Sequence, residues 1–158
     1  MNATAEQQKP GPARIVKMWL LLAVLIGALI FVSKPPKSAV AWRTDWQQAV
    51  DESIETKLPI FVEFYGPGCT YCELMDRTVF TREDVAEALS GFVPAKINAD
   101  KERRLAFGLG VQAYPTFFVL TPGHDVVAKH IGAMEPEEFI AFTKTALQKR
   151  ASLEEIAR

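Results

Sequence analysis

The chain has few cysteines and histidines and almost no net charge. Its 158 residues include two cysteines and two histidines, and the formal net charge is −1. His124 and His130 lie far along the chain from the cysteines, so a site of three or four metal ligands finds little support. Residues 42–150 carry 12 basic and 16 acidic side chains. Because nucleic-acid binders need a basic surface, we set that class aside.

Long apolar runs are also rare, with one exception near the N-terminus. Met18–Val32 is uncharged and mostly aliphatic. At about 1.5 Å per residue it would cover about 23 Å, less than the roughly 30 Å hydrocarbon core. With Ile15 and Val16 added and Lys17 snorkelling, the run predicts a transmembrane anchor or signal helix over 15–33. A disordered arm, 1–14, is predicted before it and a linker, 34–41, after it.

The fate of this segment stays open between several alternatives. Ala39-Val40-Ala41 fits the small-residue pattern of a cleaved signal peptide. A buried soluble helix is disfavoured because nothing polar marks a solvent face, and no cysteine directly follows the run to carry a lipid. Both an uncleaved anchor and a cleaved signal peptide predict an extracytoplasmic domain. The anchor would be a single-pass helix in the inner (cytoplasmic) membrane with the domain facing the periplasm, whereas cleavage would leave a soluble periplasmic domain. The flanking positive charges nearly balance, so an inverted topology is the further alternative.

Residues 42–150 alternate between helical and strand patterns, and residues 151–158 form a tail that extends the last helix or frays. Capping patterns at Thr44 and Thr81 are predicted to begin two of the helices. The predicted helices are Asp45–Lys57, a segment through Glu73–Thr78, Thr81–Leu89, Asp100–Phe107 and one beginning at Pro136; the predicted strands are Ile60–Tyr65, Phe92–Asn98, Thr116–Leu120 and Val126–Ile131. This order predicts an α/β fold whose mixed central sheet is flanked by helices.

The two cysteines stand three positions apart, directly after the first strand and a Gly66-Pro67-Gly68 turn. A pair in this position indicates thiol–disulfide chemistry. Cys69 would lie at a helix N-terminus, where unpaired N–H groups favour a thiolate, and Cys72 would resolve a mixed disulfide one turn later. A purely structural disulfide and a metal site are the alternatives.

The domain resembles the thioredoxin superfamily over nearly all of Trp42–Lys149, and especially the membrane-linked periplasmic domains typified by the C-terminal domain of thiol:disulfide interchange protein DsbD. The stretches that carry the likeness are the cysteine motif, Glu73 through Val79-Phe80 to Leu89, Asn98-Ala99-Asp100 and Tyr114-Pro115-Thr116. The resemblance implies a thioredoxin fold, a nucleophilic Cys69 and a resolving Cys72. It also implies a cis bond before Pro115 and a substrate groove shaped by Gly132.

Glu63 and Lys96 match an acid beneath the cysteines and its neighbouring lysine in that family. A carboxyl group inside an apolar strand is costly unless it is paired or used for proton transfer, which favours a catalytic role for Glu63. The resemblance implies that Lys96 shares this role by tuning the acid. The alternatives are a strand-end glutamate that faces solvent and a solvated lysine.

Two departures from the family pattern fall at the rim of the site. Gly68 stands where the family often has tryptophan, and Thr70-Tyr71 lies between the cysteines without a histidine. The missing histidine removes one cation that would stabilise a thiolate, which favours a reductant or electron relay over an oxidant.

The predicted function is therefore a membrane-tethered thiol:disulfide oxidoreductase without an organic cofactor. Its predicted partners are protein disulfides, with a membrane electron donor as a candidate. The alternative is a non-catalytic module of the same fold that binds copper or zinc or serves as a scaffold.

Overall fold

The computed structural model describes residues 12–32 and 37–156 and divides the chain into two compact units, Met1–Pro35 and Pro36–Arg158. The first unit contains helix α1, Pro12–Val32, which begins inside the arm predicted to be disordered. Proline is favoured in the first turn of a helix because backbone N–H groups have no intrahelical partner there, so the N–H that proline lacks costs no hydrogen bond. Within the described residues, no helix combines the length and apolar character needed to cross a lipid bilayer.

The second unit is built on a four-stranded sheet in the order β2-β1-β3-β4. Strand β1 is parallel to β2 and antiparallel to β3, and β3 is antiparallel to β4. The elements of this unit are α2 Trp46–Thr56, β1 Ile60–Tyr65, α3 Thr70–Thr78, α4 Glu83–Ala88, β2 Val93–Asn98, α5 Arg103–Gly108, β3 Thr116–Leu120, β4 Val126–Ile131 and α6 Pro136–Ile156. The predicted mixed sheet and element order are confirmed.

Side chains alternate along β1 between two cores, one on each face of the sheet. Phe61 packs with Met75 of α3 and Phe139 of α6. Ile60, Val62 and Phe64 pack on the other face, with α2 and α5. Because both faces are covered, the strand is apolar at nearly every position. Glu63, which shares the face of Phe61, is the exception.

Several predicted boundaries are shifted by local side-chain hydrogen bonds. Helix α2 is capped by Asp45 rather than Thr44, since the Asp45 carboxylate accepts the N–H of Gln48 at 2.8 Å. The hydroxyl of Thr81 donates to the carbonyl of Arg77, so α4 begins after Arg82 with no side-chain cap. Helix α5 starts three residues later than predicted because the Asn98 side chain accepts the N–H groups of the following turn.

The described part of the predicted linker contacts the domain, and the described part of the predicted tail extends the last helix, which is one of its two predicted alternatives. The N–H of Ala39 donates to the carbonyl of Phe80 at 2.7 Å, and Val40 is buried in the core. Residues 37–41 therefore pack on the domain. At the other end, α6 continues to Ile156, so most of the predicted tail is helical.

Candidate redox site

Cys69 and Cys72 form a disulfide at the N-terminus of α3, with an S–S distance of 2.07 Å. Cys69 is the N-cap residue, and its Sγ accepts the N–H of Cys72 at 3.2 Å. Cys69 is partly exposed, whereas Cys72 is 4% exposed. A partner can therefore reach the first sulfur more easily than the second.

A buried ion pair lies on the sheet face that α3 covers. Glu63 of β1 is paired in register with Lys96 of β2, and the Glu63 side chain is fully buried. The Nζ of Lys96 is 3.1 Å from Oε2 of Glu63. Neither carboxyl oxygen has a well-aligned hydrogen bond among the described residues, so the contact is electrostatic. The solvent-facing alternative for Glu63 is wrong, because α3 and the core cover the strand at this point.

Burial raises the pKa of Glu63 to about 7, and the negative charge of Asp76 adds to the rise while Lys96 opposes it. For Lys96, burial lowers the pKa, but the two carboxylates outweigh that cost and leave it raised. Lys96 thus stays charged at neutral pH, whereas Glu63 exchanges a proton there.

Asp76 is the residue of this site that the sequence patterns missed. Its Oδ1 accepts a hydrogen bond from Lys96 Nζ, and its side chain is 46% exposed. The residue stands four positions after Cys72, one turn further along α3, and this spacing was the signal that could have found it. A lysine shared by two carboxylates is visible only once β2 is placed beside α3.

An open cavity of about 340 Å³ extends from the disulfide to Lys96 and Asp76. Both cysteines and both charges of the Lys96–Asp76 pair contribute to its wall. The residues that line it are Tyr65, Gly66, Pro67, Gly68, Cys69, Cys72, Glu73, Asp76 and Lys96.

The loop before β3 has the predicted cis bond between Tyr114 and Pro115. Pro115 is buried, and its carbonyl accepts the N–H of Gly132 at 2.9 Å. The hydroxyl of Thr116 donates to the carbonyl of Ala113 at 2.7 Å. These bonds bring the predicted groove residues of two distant loops together.

The ring of Tyr114 also lies against the turn that precedes the cysteines. A Cβ atom on Gly66 would be 2.7 Å from Tyr114 Cδ2, closer than such atoms approach. Glycine at position 66 therefore allows the loop of Pro115 to lie against the cysteine turn.

The rim residues Gly68, Thr70 and Tyr71 are exposed, Tyr71 to 63%. Gly68 has φ +70°, with open space where a Cβ would stand. Within the described part of the chain, no group of three His, Cys, Asp or Glu side chains could hold a metal ion.

Comparison with known proteins identifies the class of this domain. Residues 46–147 match the family described as Thioredoxin-like domain. The chain belongs to this family and to the thioredoxin superfamily.

Among curated proteins, it is 32% identical over 83 residues to protein disulfide isomerase-like 2-2 of Oryza sativa subsp. japonica, covering 52% of this chain and 22% of that protein. It is 35% identical over 91 residues to protein disulfide isomerase-like 1-1 of Arabidopsis thaliana, covering 54% and 18% respectively. The chain thus spans about a fifth of the length of these relatives.

Solved structures show the same fold. A thioredoxin from Thermus thermophilus superposes with a TM-score of 0.63 at 23% identity, over 69% of this chain and 88% of that one. The oxidised DsbD C-terminal domain of Neisseria meningitidis gives a TM-score of 0.58 at 18% identity, over 67% and 99%.

Replacing Gly66 with alanine should push the Tyr114 ring away from the cysteine turn. Because the added methyl overlaps the ring, we expect Gly66→Ala to lower the free energy of unfolding by about 1–3 kcal/mol. Adding Tyr114→Ala removes the obstacle, so chemical denaturation of the double variant should show a smaller loss than the two single losses added. Gly68→Ala is the control: its cost comes from backbone conformation and should be additive with Tyr114→Ala. Additive losses for Gly66→Ala would contradict the contact.

The stability of the protein should depend on pH through Glu63. The folded-state pKa of about 7 lies above the ordinary value of 4.5. The folded state therefore holds the proton more tightly, and this contribution is full below pH 4.5 and lost as pH rises through about 7. Since each pH unit between these values is worth about 1.4 kcal/mol, Glu63→Gln should gain about 2–3 kcal/mol relative to the native protein between pH 5 and 8. Urea unfolding across this range measures the difference, and parallel profiles would show that Glu63 keeps an ordinary pKa.

Proposed function

We propose that this protein is a thiol:disulfide oxidoreductase that acts on protein disulfides. The observation that carries the proposal is the asymmetric disulfide at the start of α3, with Cys69 partly exposed and Cys72 buried. The names of the curated relatives, protein disulfide isomerase-like proteins, support the same chemistry. Because these relatives are much longer proteins, their names support the proposal, but their overall activity is not assigned to this chain.

In the reducing direction, the Cys69 thiolate attacks one sulfur of a partner disulfide. A mixed disulfide forms and the partner's other sulfur leaves as a thiolate. The Cys72 thiolate then attacks Cys69 Sγ, which releases the second partner sulfur and forms the Cys69–Cys72 disulfide. Two electrons pass to the partner, and no organic cofactor is required. A separate electron donor, for which a membrane reductase is the candidate, must then reduce the enzyme.

Glu63 would accept the proton that Cys72 loses before it attacks. A pKa of about 7 suits an acid–base group at neutral pH, because both protonation states are populated. Lys96 would tune this pKa through its contact with Oε2. We assign Glu63 and Lys96 to proton transfer, and Cys69 and Cys72 to the exchange itself.

The partner's chain would lie along the rim of the site. The loop of Tyr114, Pro115 and Thr116 faces the cysteine turn through the Gly66 contact, and Gly132 is bonded to it. A partner segment could pair with backbone groups of this loop in an extended conformation. Its side chains would then meet the remaining rim residues, Gly68, Thr70 and Tyr71.

We favour a reductant or relay because of the charges around the cysteines. Glu73 and Asp76 line the same cavity as both sulfurs, against the single cation of Lys96. Carboxylates near a cysteine disfavour its thiolate, and no histidine lies between the cysteines to offset them. A less stable thiolate makes the reduced form a better electron donor.

The order of attack can be tested by trapping partners in cells. Cys72→Ser should accumulate mixed disulfides through Cys69, since the step that releases the partner is removed. Cys69→Ser is the matched control and should trap far less on non-reducing gels. Equal trapping by the two variants would reverse the assignment, and no exchange by the native protein with model disulfides would refute the function. Mass spectrometry of the trapped proteins would distinguish oxidised substrates from an electron donor.

We further propose that the N-terminal segment tethers the domain to the inner membrane, with the domain in the periplasm. The support is the uncharged run Met18–Val32 and the exposure of aliphatic side chains along α1, such as Leu21 and Val24. Soluble periplasmic protein, released by cleavage near Ala41, is the alternative.

Cell fractionation separates these cases. Tethered protein should stay with membranes after carbonate extraction and become protease-sensitive when the outer membrane is opened. Replacing Leu21 and Val24 with lysine should release it, because charged side chains are costly inside the hydrocarbon layer of a membrane. Ile54→Lys, at an exposed apolar position of the domain, is the control and should leave membrane association unchanged. Native protein in the soluble fraction with a shortened N-terminus would favour cleavage.

A further inference from the structure

The ammonium group of Lys96 is surrounded by aromatic rings as well as by carboxylates. Its Nζ lies 5.9 Å from the ring centroid of Trp42, 5.5 Å from that of Tyr65 and 5.4 Å from that of Phe80. The Lys96 side chain is 15% exposed. Rings at this range attract a cation by about 0.5–2 kcal/mol each, more as water is excluded. The rings therefore hold the charge at a place where water reaches it poorly.

Trp42 differs from the other two rings because it comes from the segment before the first helix of the domain. The carbonyl of Arg43 accepts the N–H of Lys96 at 2.8 Å, and the N–H of Arg43 donates to the carbonyl of Pro94 at 2.9 Å. These bonds hold the segment along β2. They place it beside the backbone of Lys96, the residue whose side chain the indole ring covers. The ring also packs edge-on against Phe80, with centroids 5.0 Å apart.

The indole N–H has no hydrogen-bond partner among the described residues, although it is buried. An unsatisfied buried donor costs about 1–3 kcal/mol. Hydrogen bonding therefore does not account for a tryptophan at this position, whereas the area and π face of its ring contribute directly to the contacts with Phe80 and Lys96.

We propose that Trp42 is a positioning residue of the redox site, whose ring keeps water from the Lys96–Glu63 pair and holds the ammonium between Glu63 and Asp76. Its role in catalysis rests on the thiol–disulfide exchange proposed above. Among the residues that the structure describes, the titratable or charged groups that face the ammonium are Glu63 and Tyr65 of β1 and Asp76 of α3. Arg43, from the segment of Trp42, is instead paired with Glu52 of α2.

The consequence is a pH effect with a defined sign. Burial is the largest cause of the raised pKa of Glu63. If the ring is removed and water enters, this cause weakens more than the opposing attraction of Lys96. The pKa of Glu63 should therefore fall, and the pH dependence of mixed-disulfide resolution should move to lower pH with it.

The test is a carbon-13 NMR titration of the glutamate carboxyl groups in the full-length chain with its disulfide formed. Glu63 is assigned by its absence in Glu63→Gln. Trp42→Leu should lower the Glu63 pKa by at least about half a unit. Trp42→Phe keeps an aromatic ring, although a smaller one, and loses the unpaired N–H; its Glu63 pKa should stay closer to the native value than that of Trp42→Leu. If Trp42→Leu does not fold, Trp42→Met replaces it and should shift the pKa in the same direction.

Phe118→Leu is the control for a general loss of packing, because Phe118 is buried on the opposite face of the sheet. It should lower stability and leave the Glu63 titration unchanged. A Glu63 pKa that is unchanged or raised in Trp42→Leu would overturn the inference. The titration does not require turnover. A native protein without exchange activity would refute the proposed function, but the Glu63 pKa could still be compared between the native protein and its variants.

Discussion

A carboxyl group inside the central strand of a sheet constrains its whole neighbourhood. Glu63 is surrounded by apolar side chains of β1 and the core, and an isolated carboxylate there would be strongly destabilised. The structure meets this constraint with Lys96 directly across the strand pair. Lys96 is in turn too buried to stand alone, and it contacts Asp76 at the cavity wall. One buried acid thus accounts for a lysine, a second acid and the aromatic rings around them.

This arrangement has one cation for two carboxylates, so the cluster cannot be neutral while both acids are ionised. Asp76 is half-exposed, whereas the Glu63 side chain is fully buried. The proton is therefore taken up at Glu63, near neutral pH. Protonation of the buried Glu63 therefore balances the charge of the cluster. Glu63 lies on the sheet face that α3, the helix of the cysteines, also covers.

Much of the fold was predictable from the sequence because both faces of the sheet are covered. The apolar runs of β1 and β3 and the Gly and Pro residues between elements predict their type and order. Boundaries were less predictable: Thr44 and Asp45 are both good caps, and only the final backbone conformation selects one. The cysteines, Pro115 and Glu63 were identifiable from motif and strand position. The contacts of Asp76 and Trp42 with Lys96 were not predictable, because they join elements that are distant in sequence; for Asp76 only its spacing from Cys72 along α3 pointed to the site.

Two glycines beside the cysteines serve different physical needs, and together they explain a departure from the family. Gly66 leaves room for the Tyr114 ring, while Gly68 adopts a left-handed backbone with open space beyond it. At position 68, where the family often carries tryptophan, a Cβ would meet no neighbouring atom, but any side chain would be strained by this backbone conformation. The absence of a side chain at position 68 therefore follows from the conformation of the turn, and the exposed Tyr71 is the large aromatic side chain nearby.

The attachment of the Trp42 segment along β2 also affects how readily the protein associates with other molecules. Strand β2 is at the edge of the sheet, where unpaired backbone groups can recruit strands of other molecules. The bridge between Arg43 and Ala95 occupies part of that edge, and Pro94 contributes no N–H to it. The polypeptide thus seals one border of its own sheet against edge-to-edge aggregation. Detachment of this segment would expose backbone groups that pair with strands of other molecules, and it would also admit water to the redox site.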